Sequence, residues 1–533
     1  MKNIIILFVI CVRAASLYAQ VPENIYLHTD KSCYHAGEII WMKADVINGK
    51  SGKPLSVSKV AYAELLDASN KPLLQGKIGL KEASGNGYFD IPQNFAAGKY
   101  ILRAYTNWMK NFSPDYYFSK EITILNINDS NRIVPVARLT QQLHSNLRIA
   151  PLDINVSSNK NTYHTRDKIT LDISSQAAAK LSVSVYRIDS LQQQDNTDIR
   201  KSLSHSLTSL PLDMPGFAYV PEYYGHIIKG KVIDTRTGKP AAGITGYMSV
   251  AGLQQFFQSS VSDAEGNISF DQRDFYGVNE IVLQTNSLTD TNYIIEIDNP
   301  FSTQYAKPVI DSLNISTVNA NDRIRQGVSA QVQQAYFADM RNKYSFDELD
   351  TLAFYGTADA NYTISDYTKF TSVEDILREY VTQVGVQKRN GKLFPFVYDR
   401  LRRKGFTVAP LYLVNDMPVF NIDRFMAMDP NVIKRIEVVD WRYFRAKNSY
   451  DGVVSLTTKN LSIDDFDMEK NAIVINYDGL QPERAFFSPV YATEAERNDR
   501  MPDFRNVLYW SPEVVTVPGN KKTIEFYSSD LKG

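Results

Sequence analysis

Cysteine is nearly absent, since the 533-residue chain has two, Cys11 and Cys33. Cys11 lies in the leader described next, so the mature chain is expected to keep Cys33 alone, which excludes an intrachain disulfide and a thiolate zinc cluster. Long apolar runs are missing as well. Ile4–Val12 is nine residues long, against the roughly 20 needed to cross a bilayer, and no second run approaches that length. Lys2 before it and Ser16-Leu17-Tyr18-Ala19-Gln20 after it give the layout of a secretory signal peptide over residues 1–19, cut after Ala19 or Gln20. Phe8-Val9-Ile10 lacks the small residues that a lipoprotein peptidase requires before Cys11, so no lipid anchor is expected. Charge of one sign is not in excess: Lys plus Arg total 58 and Asp plus Glu 59, which gives nucleic acid no electrostatic footing as a partner. The six histidines all lie at or before His226, leaving the second half without the commonest general base. Phosphate loops, His-Glu-x-x-His and Gly-x-Ser-x-Gly do not occur. No catalytic, cofactor-binding or metal-binding residues are therefore assigned, and the chain is expected not to be an enzyme.

What is present is a succession of short, turn-bounded strands, the pattern of β-sandwiches. Ile40, Met42, Ala44 and Val46 place one apolar face on a strand, and Ile169, Leu171, Ile173, then Leu181, Val183, Val185, alternate with polar residues. Lys31-Ser32-Cys33-Tyr34-His35-Ala36-Gly37-Glu38 aligns with Lys160-Asn161-Thr162-Tyr163-His164-Thr165-Arg166-Asp167, matching Lys, Tyr, His and the later acid, which predicts two related modules. His28, His35 and His164 lack an acid or cysteine cluster at ligand spacing, so they read as hairpin-fixing residues rather than metal ligands. Asp263 and Glu265 read as a hairpin turn, because a calcium loop needs six or more oxygens.

Residues 317–344 have a helical composition and are expected to form a linker. Val373, Ile376, Leu377, Tyr380, Val381 and Val384 predict a helix over 372–384, with a capping box at Thr371 and Glu374 and Gly385 as its stop. Leu411 to Val419 reads as strand, tight turn and strand, Phe425 to Met428 as a short helix, and Ile433 to Val439 and Val453 to Lys459 as strands. Ile376, Leu377, Leu413, Ile436 and Val438 are the expected core of this part.

The stretch Ile25–Val46, with Gly98–Thr106, resembles the macroglobulin-like domains of large exported Bacteroidota proteins. Ile228–Asp234 with Thr237-Gly238-Lys239-Pro240 is similar to the carboxypeptidase-regulatory-like fold, and the order of elements from 350 to 462 resembles the plug domain of TonB-dependent outer-membrane receptors. The receptor pattern has Asp-Gly where this chain has Asn415-Asp416. Only 73 residues follow Asn460, too few for even an eight-stranded barrel. Taken together the chain resembles a family of multi-domain Bacteroidota envelope proteins.

The resemblances imply a mainly β chain: a macroglobulin-like sandwich at 20–127, a second at 148–220, a carboxypeptidase-regulatory-like sandwich at 225–298, the helical linker, a small α+β plug-like domain at 350–462, and an incomplete β module at 470–533 with an open edge at 523–528. The expected function is that of an exported, non-enzymatic interaction protein, in the periplasm or peripheral on the outer membrane. It would dock on an outer-membrane transporter or secretion channel. Two alternatives are a macroglobulin-like protease inhibitor, necessarily without a thioester because no cysteine follows Cys33, and a carbohydrate- or peptide-binding module, for which 12% aromatic residues supply anchors.

Overall fold

The structure is a computed structural model and describes residues 23–49, 51–128, 133–138, 152–188, 217–250, 252, 256–306, 309–314, 320–345, 352–389, 391–445 and 448–532. The leader at 1–19, with Cys11, lies outside them. The fold is mainly β and divides into two compact units. One comprises Met1–Gly225, Phe301–Phe346 and Leu480–Gly533, the other His226–Pro300 and Asp347–Gly479.

In the first unit, strands Glu23–Thr29, Ile39–Asn48 and Ser84–Asp90 form one sheet of a sandwich. Cys33–His35, Phe118–Leu125, Gly98–Thr106, Val60–Leu66 and Pro72–Gly79 run in that order through the other. Ile40, Met42, Ala44 and Val46 are wholly buried, as the alternation predicts. Ile39 and Trp41 on the opposite face are also covered, packing with Trp510, Tyr88 and Phe486. An internal ion pair ties a distant segment to this sandwich: Arg103 donates to Glu64 Oε2 at 2.6 Å and to the carbonyls of Ser302 and Gln304 at 2.7 Å each.

The second sandwich requires a correction to the expected boundaries. Ile154–Ser158 and Lys168–Ser175 are joined by Lys522–Tyr527, and Ala179–Tyr186 pairs with Val507–Thr516. Ile169, Ile173, Val514, Ile524 and Phe526 form its buried centre, with Leu171, Leu181, Val183 and Val185 against it. The C-terminal residues are therefore not an incomplete module of their own. They complete the second sandwich, because the alternating apolar faces of 169–173 and 181–185 need a facing sheet, while among the described residues Lys522–Tyr527 pairs on one side only and leaves the expected open edge at 523–528. In this closing segment Asp530 is bound by Arg166.

The segment expected as a linker is a helix, Ala320–Arg341, and it is not a spacer. Its residues Gln326, Gly327, Ser329, Ala330 and Phe337 are buried in the first unit. Gly327 comes so close to Ile127 that a Cβ there would lie 2.0 Å from Ile127 Cγ2. Only a glycine fits that approach.

In the second unit, His226–Asp234 pairs with Lys239–Pro240, Asn267–Gln272 and Tyr293–Ile297, facing a sheet of Phe256–Val261, Thr245–Val250, Val278–Thr285 and Ile473–Asp478. The last of these strands comes from the segment assigned in sequence to the C-terminal module. Beside this sandwich lies a five-stranded sheet in the order Ala360–Thr363, Ile433–Val439, Val453–Thr458, Leu411–Val414, Met417–Pro418. Asn415 and Asp416 both take left-handed φ, 49° and 61°, the conformation that a two-residue hairpin demands. Ile376, Leu377, Ile436 and Val438 share one apolar cluster, whereas Leu413 points to the other face, against Tyr247 and Phe257 of the sandwich.

The helix of this region is shorter than its apolar spacing predicts, running Val373–Glu379 with Ser372, not Thr371, accepting from Asp375 N–H as its N-cap. Val384–Arg389 is a strand. Gly385 lies opposite Phe396 in the ladder, and a Cβ there would lie 2.4 Å from the Phe396 ring. It makes room for an aromatic ring rather than ending a helix, and the β-branched Val381, Val384 and Val386 favour the strand.

Candidate binding cavity and exposed hairpins

The repeated Lys-x-x-Tyr-His segment builds the same turn twice, 129 residues apart (Lys160 against Lys31). In the first copy Tyr34 Oη donates to Asp30 Oδ1 at 2.7 Å, Trp41 N–H donates to the same oxygen at 2.9 Å, and Asp30 N–H donates to Trp41 O at 3.1 Å. Glu38 Oε2 accepts from His35 N–H at 2.7 Å and from Lys31 Nζ at 2.6 Å. In the second copy Tyr163 Oη donates to Asn159 Oδ1 at 2.5 Å, and Thr170 N–H and Asn159 N–H complete the same pair, each at 3.2 Å. Asp167 Oδ2 accepts from His164 N–H at 3.0 Å and Lys160 Nζ at 3.5 Å. Each group occupies the place that the sequence alignment assigns it.

The first copy is buried and borders a cavity of about 70 Å³. Asp30, Lys31, Glu38, Trp41, Gln333 and Arg341 line it, along with Phe486, Phe487, Phe504, Arg505 and Asn506. Asp30 Oδ2 and Gln333 Nε2 are buried there without a hydrogen-bond partner. Burial pushes the Asp30 carboxyl up to about 7, against the opposing pull of Lys31 and the Tyr34 hydroxyl. For Glu38, burial works in the same upward direction but loses to the Lys31 ammonium, so that carboxyl is held below its usual range. Burial also lowers Arg341. Sequence reasoning missed this site. The Asp30/Asn159 exchange in otherwise matching turns was the available signal, while nothing local marks Gln333.

The histidines weighed as ligands do not converge. His28 meets Ser182 Oγ at 2.7 Å through Nδ1, His35 is buried beside Gly327, and His164 holds the second turn. Among the described residues no group of three His, Cys, Asp or Glu side chains is placed to hold a metal ion. Asp263 closes a turn, accepting from Glu265 N–H at 3.0 Å, Asn267 N–H at 2.7 Å and Asn267 Nδ2 at 2.9 Å. Cys33 is a buried free thiol.

A second feature stands in the other unit. The turn after Lys392–Asp399 carries Arg400, Leu401, Arg402 and Arg403 before Lys404–Gly405, and Asp399 Oδ1 braces it by accepting from Leu401 and Arg402 N–H at 2.8 and 3.2 Å. Leu401 at its tip is 83% exposed. Arg400 N–H donates to Asp440 O at 3.0 Å, tying this turn to the neighbouring Tyr443–Arg445 and Asn448–Tyr450 hairpin, where Phe444 is 67% exposed and Trp441 partly so. Sequence reasoning missed this feature: the arginines at 400, 402 and 403 were the available signal, while nothing local joins them to Trp441 and Phe444.

No described helix is long and apolar enough to cross a membrane. No family model and no curated protein matches the chain. Solved structures similar to parts of it include an alpha-2-macroglobulin from Salmonella at 8% identity, covering 96% of this chain and 24% of that one with a TM-score of 0.17. Others are the Escherichia coli adhesin FdeC, at 9% identity, 54% and 64% coverage and a TM-score of 0.16, and dimeric latent PorU from Porphyromonas gingivalis, at 11% identity, 52% and 33% coverage and 0.18. The chain thus spans about a quarter of the macroglobulin's length. At TM-scores of this size no residue role is transferred.

Proposed function

We propose that this chain is a non-enzymatic interaction protein of the cell envelope, exported and peripheral, which docks on an outer-membrane transporter or secretion channel. The observation that carries the reading is the pair of joined hairpins bearing Leu401, Trp441 and Phe444 among arginines. Trp, Tyr and Arg dominate the energetic centres of protein interfaces, and apolar side chains held outward on a braced turn gain free energy when a partner covers them.

A tagged chain pulled from solubilised envelopes should bring down one membrane protein in defined ratio. The double variant L401D/F444S should lose it, by tenfold or more, while keeping the parent melting curve. Recovery of the parent as a free monomer with no membrane partner would sink the proposal. Washing intact membranes with high salt should release the chain without lipid modification.

A further inference from the structure

We infer that the cavity beside Asp30 is a recognition site for a neutral polyhydroxyl group, the pyranose ring of a glycan. Two orphaned atoms state the requirement. Asp30 Oδ2 lacks a partner, needing a donor when the carboxyl is ionised and an acceptor when it carries the proton, and Gln333 Nε2 needs an acceptor; a hydroxyl, at once donor and acceptor, serves either state. A buried polar atom left without a partner is costly, so the site favours whatever supplies one.

Size sets the scale of the ligand. At roughly 10–15 Å³ for each water-sized probe position, a cavity of about 70 Å³ takes several waters or one sugar ring. Charge argues for neutrality. Lys31 is paired to Glu38 at 2.6 Å and Arg505 to Asp503 at 2.8 Å, and burial disfavours the charged forms of both Asp30 and Arg341, so the site offers an ion little attraction. Trp41, Phe486, Phe487 and Phe504 in the lining supply the flat apolar surface that suits the C–H face of a sugar. This cavity lies wholly within the first unit and the Leu401 turn belongs to the second, so the two proposals stand or fall separately.

The test is saturation-transfer NMR and calorimetry of the full chain with methyl glycosides of glucose, galactose, mannose and N-acetylglucosamine. At least one should bind, and D30N and Q333L should each weaken it by tenfold or more. D30N is a fair variant because Asn159 fills the same place in the sister turn with the same hydrogen bonds. Q333L changes only the helix side and keeps the volume, so the two variants check one another if either melts early. L401D/F444S should leave glycoside binding intact. No binding of any glycoside at millimolar concentration would overturn the inference. So would binding that survives both substitutions, or equal binding of glycerol and short Gly-Ser peptides, either of which would mark the cavity as a general water pocket.

Discussion

Two copies of one turn have been put to different uses in this molecule. In the first, Lys31 and Tyr34 are almost fully buried and the acid that accepts from Tyr34 is an aspartate. In the second, Lys160 is exposed, Tyr163 only half-buried, and the acceptor is Asn159. The backbone pattern is the same, so the turn's geometry is set by its hydrogen bonds and not by its surroundings. Burial changes the electrostatics instead. An exposed site needs no charge at this position, and an amide suffices. The buried site keeps a carboxylate whose second oxygen is unmet, which is hard to understand as a device for stability alone.

A further difference lies at the left-handed position. Gly37 has φ of 90° and its counterpart Arg166 has φ of 59°, a conformation that costs a side-chain-bearing residue about 1 kcal/mol. Arg166 compensates by holding the C-terminal segment. It donates to both Asp530 oxygens at 2.8 and 2.7 Å and to the carbonyls of Asp499 and Met501 at 2.7 and 2.6 Å.

The sharpest way to break the comparison is to remove the lysine from each copy. K31M leaves Glu38 buried without its cation and should destabilise the chain by about 3–5 kcal/mol in urea unfolding. Stability that is unchanged in K31M would show that burial does not separate the copies.

A pH series follows. Because the folded Asp30 carboxyl sits at about 7, above its usual 3.8, the folded state holds the proton that the unfolded chain has already released. Its contribution is fully present below about pH 4 and is lost as pH rises to about 7, with a slope of at most ~1.4 kcal/mol per pH unit. D30N should abolish that component of the slope. Equal slopes in parent and variant would contradict the assignment.

Smaller still is the contrast between R166A and R166G. Both lose the Asp530 pair and should weaken amide protection over 494–530 in hydrogen exchange, at about 2–3 kcal/mol. The glycine variant recovers about 1 kcal/mol of strain, making it the more stable of the two. Smallest is K160M, where the partner is 3.5 Å away, Lys160 is exposed and Asp167 is only partly covered, so the change should stay within about 0.5 kcal/mol.

The duplicated turn was legible in sequence because Lys, Tyr, His and the acid recur at fixed spacing and each makes a local hydrogen bond. Alternation likewise located the strands around Ile40 and Ile169, since period-two burial is a local property. The closure of the second sandwich was not legible. Asp172 and Thr523 are 351 residues apart, and no pattern within either segment specifies the other. The Val373 helix was overextended because Val384 fits both the helical spacing from Val381 and the strand spacing to Val386 until Phe396 is seen across from Gly385. The cavity at Asp30 was invisible for a different reason: an unmet oxygen is a fact about three dimensions.

The distance between Asp172 and Thr523 also sets a schedule for the newly made chain. Lys168–Ser175 emerges with an unclaimed edge, and its partner strand is made some 350 residues later. At roughly 5–20 residues per second that is on the order of 20–70 s, during which the half-built sandwich exposes Ile169 and Ile173 to any passing chain. This late-made strand acts as a latch. A premature stop before Lys522 leaves this module without its partner strand, and a pause there prolongs the exposure of Ile169 and Ile173 until Ile524 and Phe526 arrive.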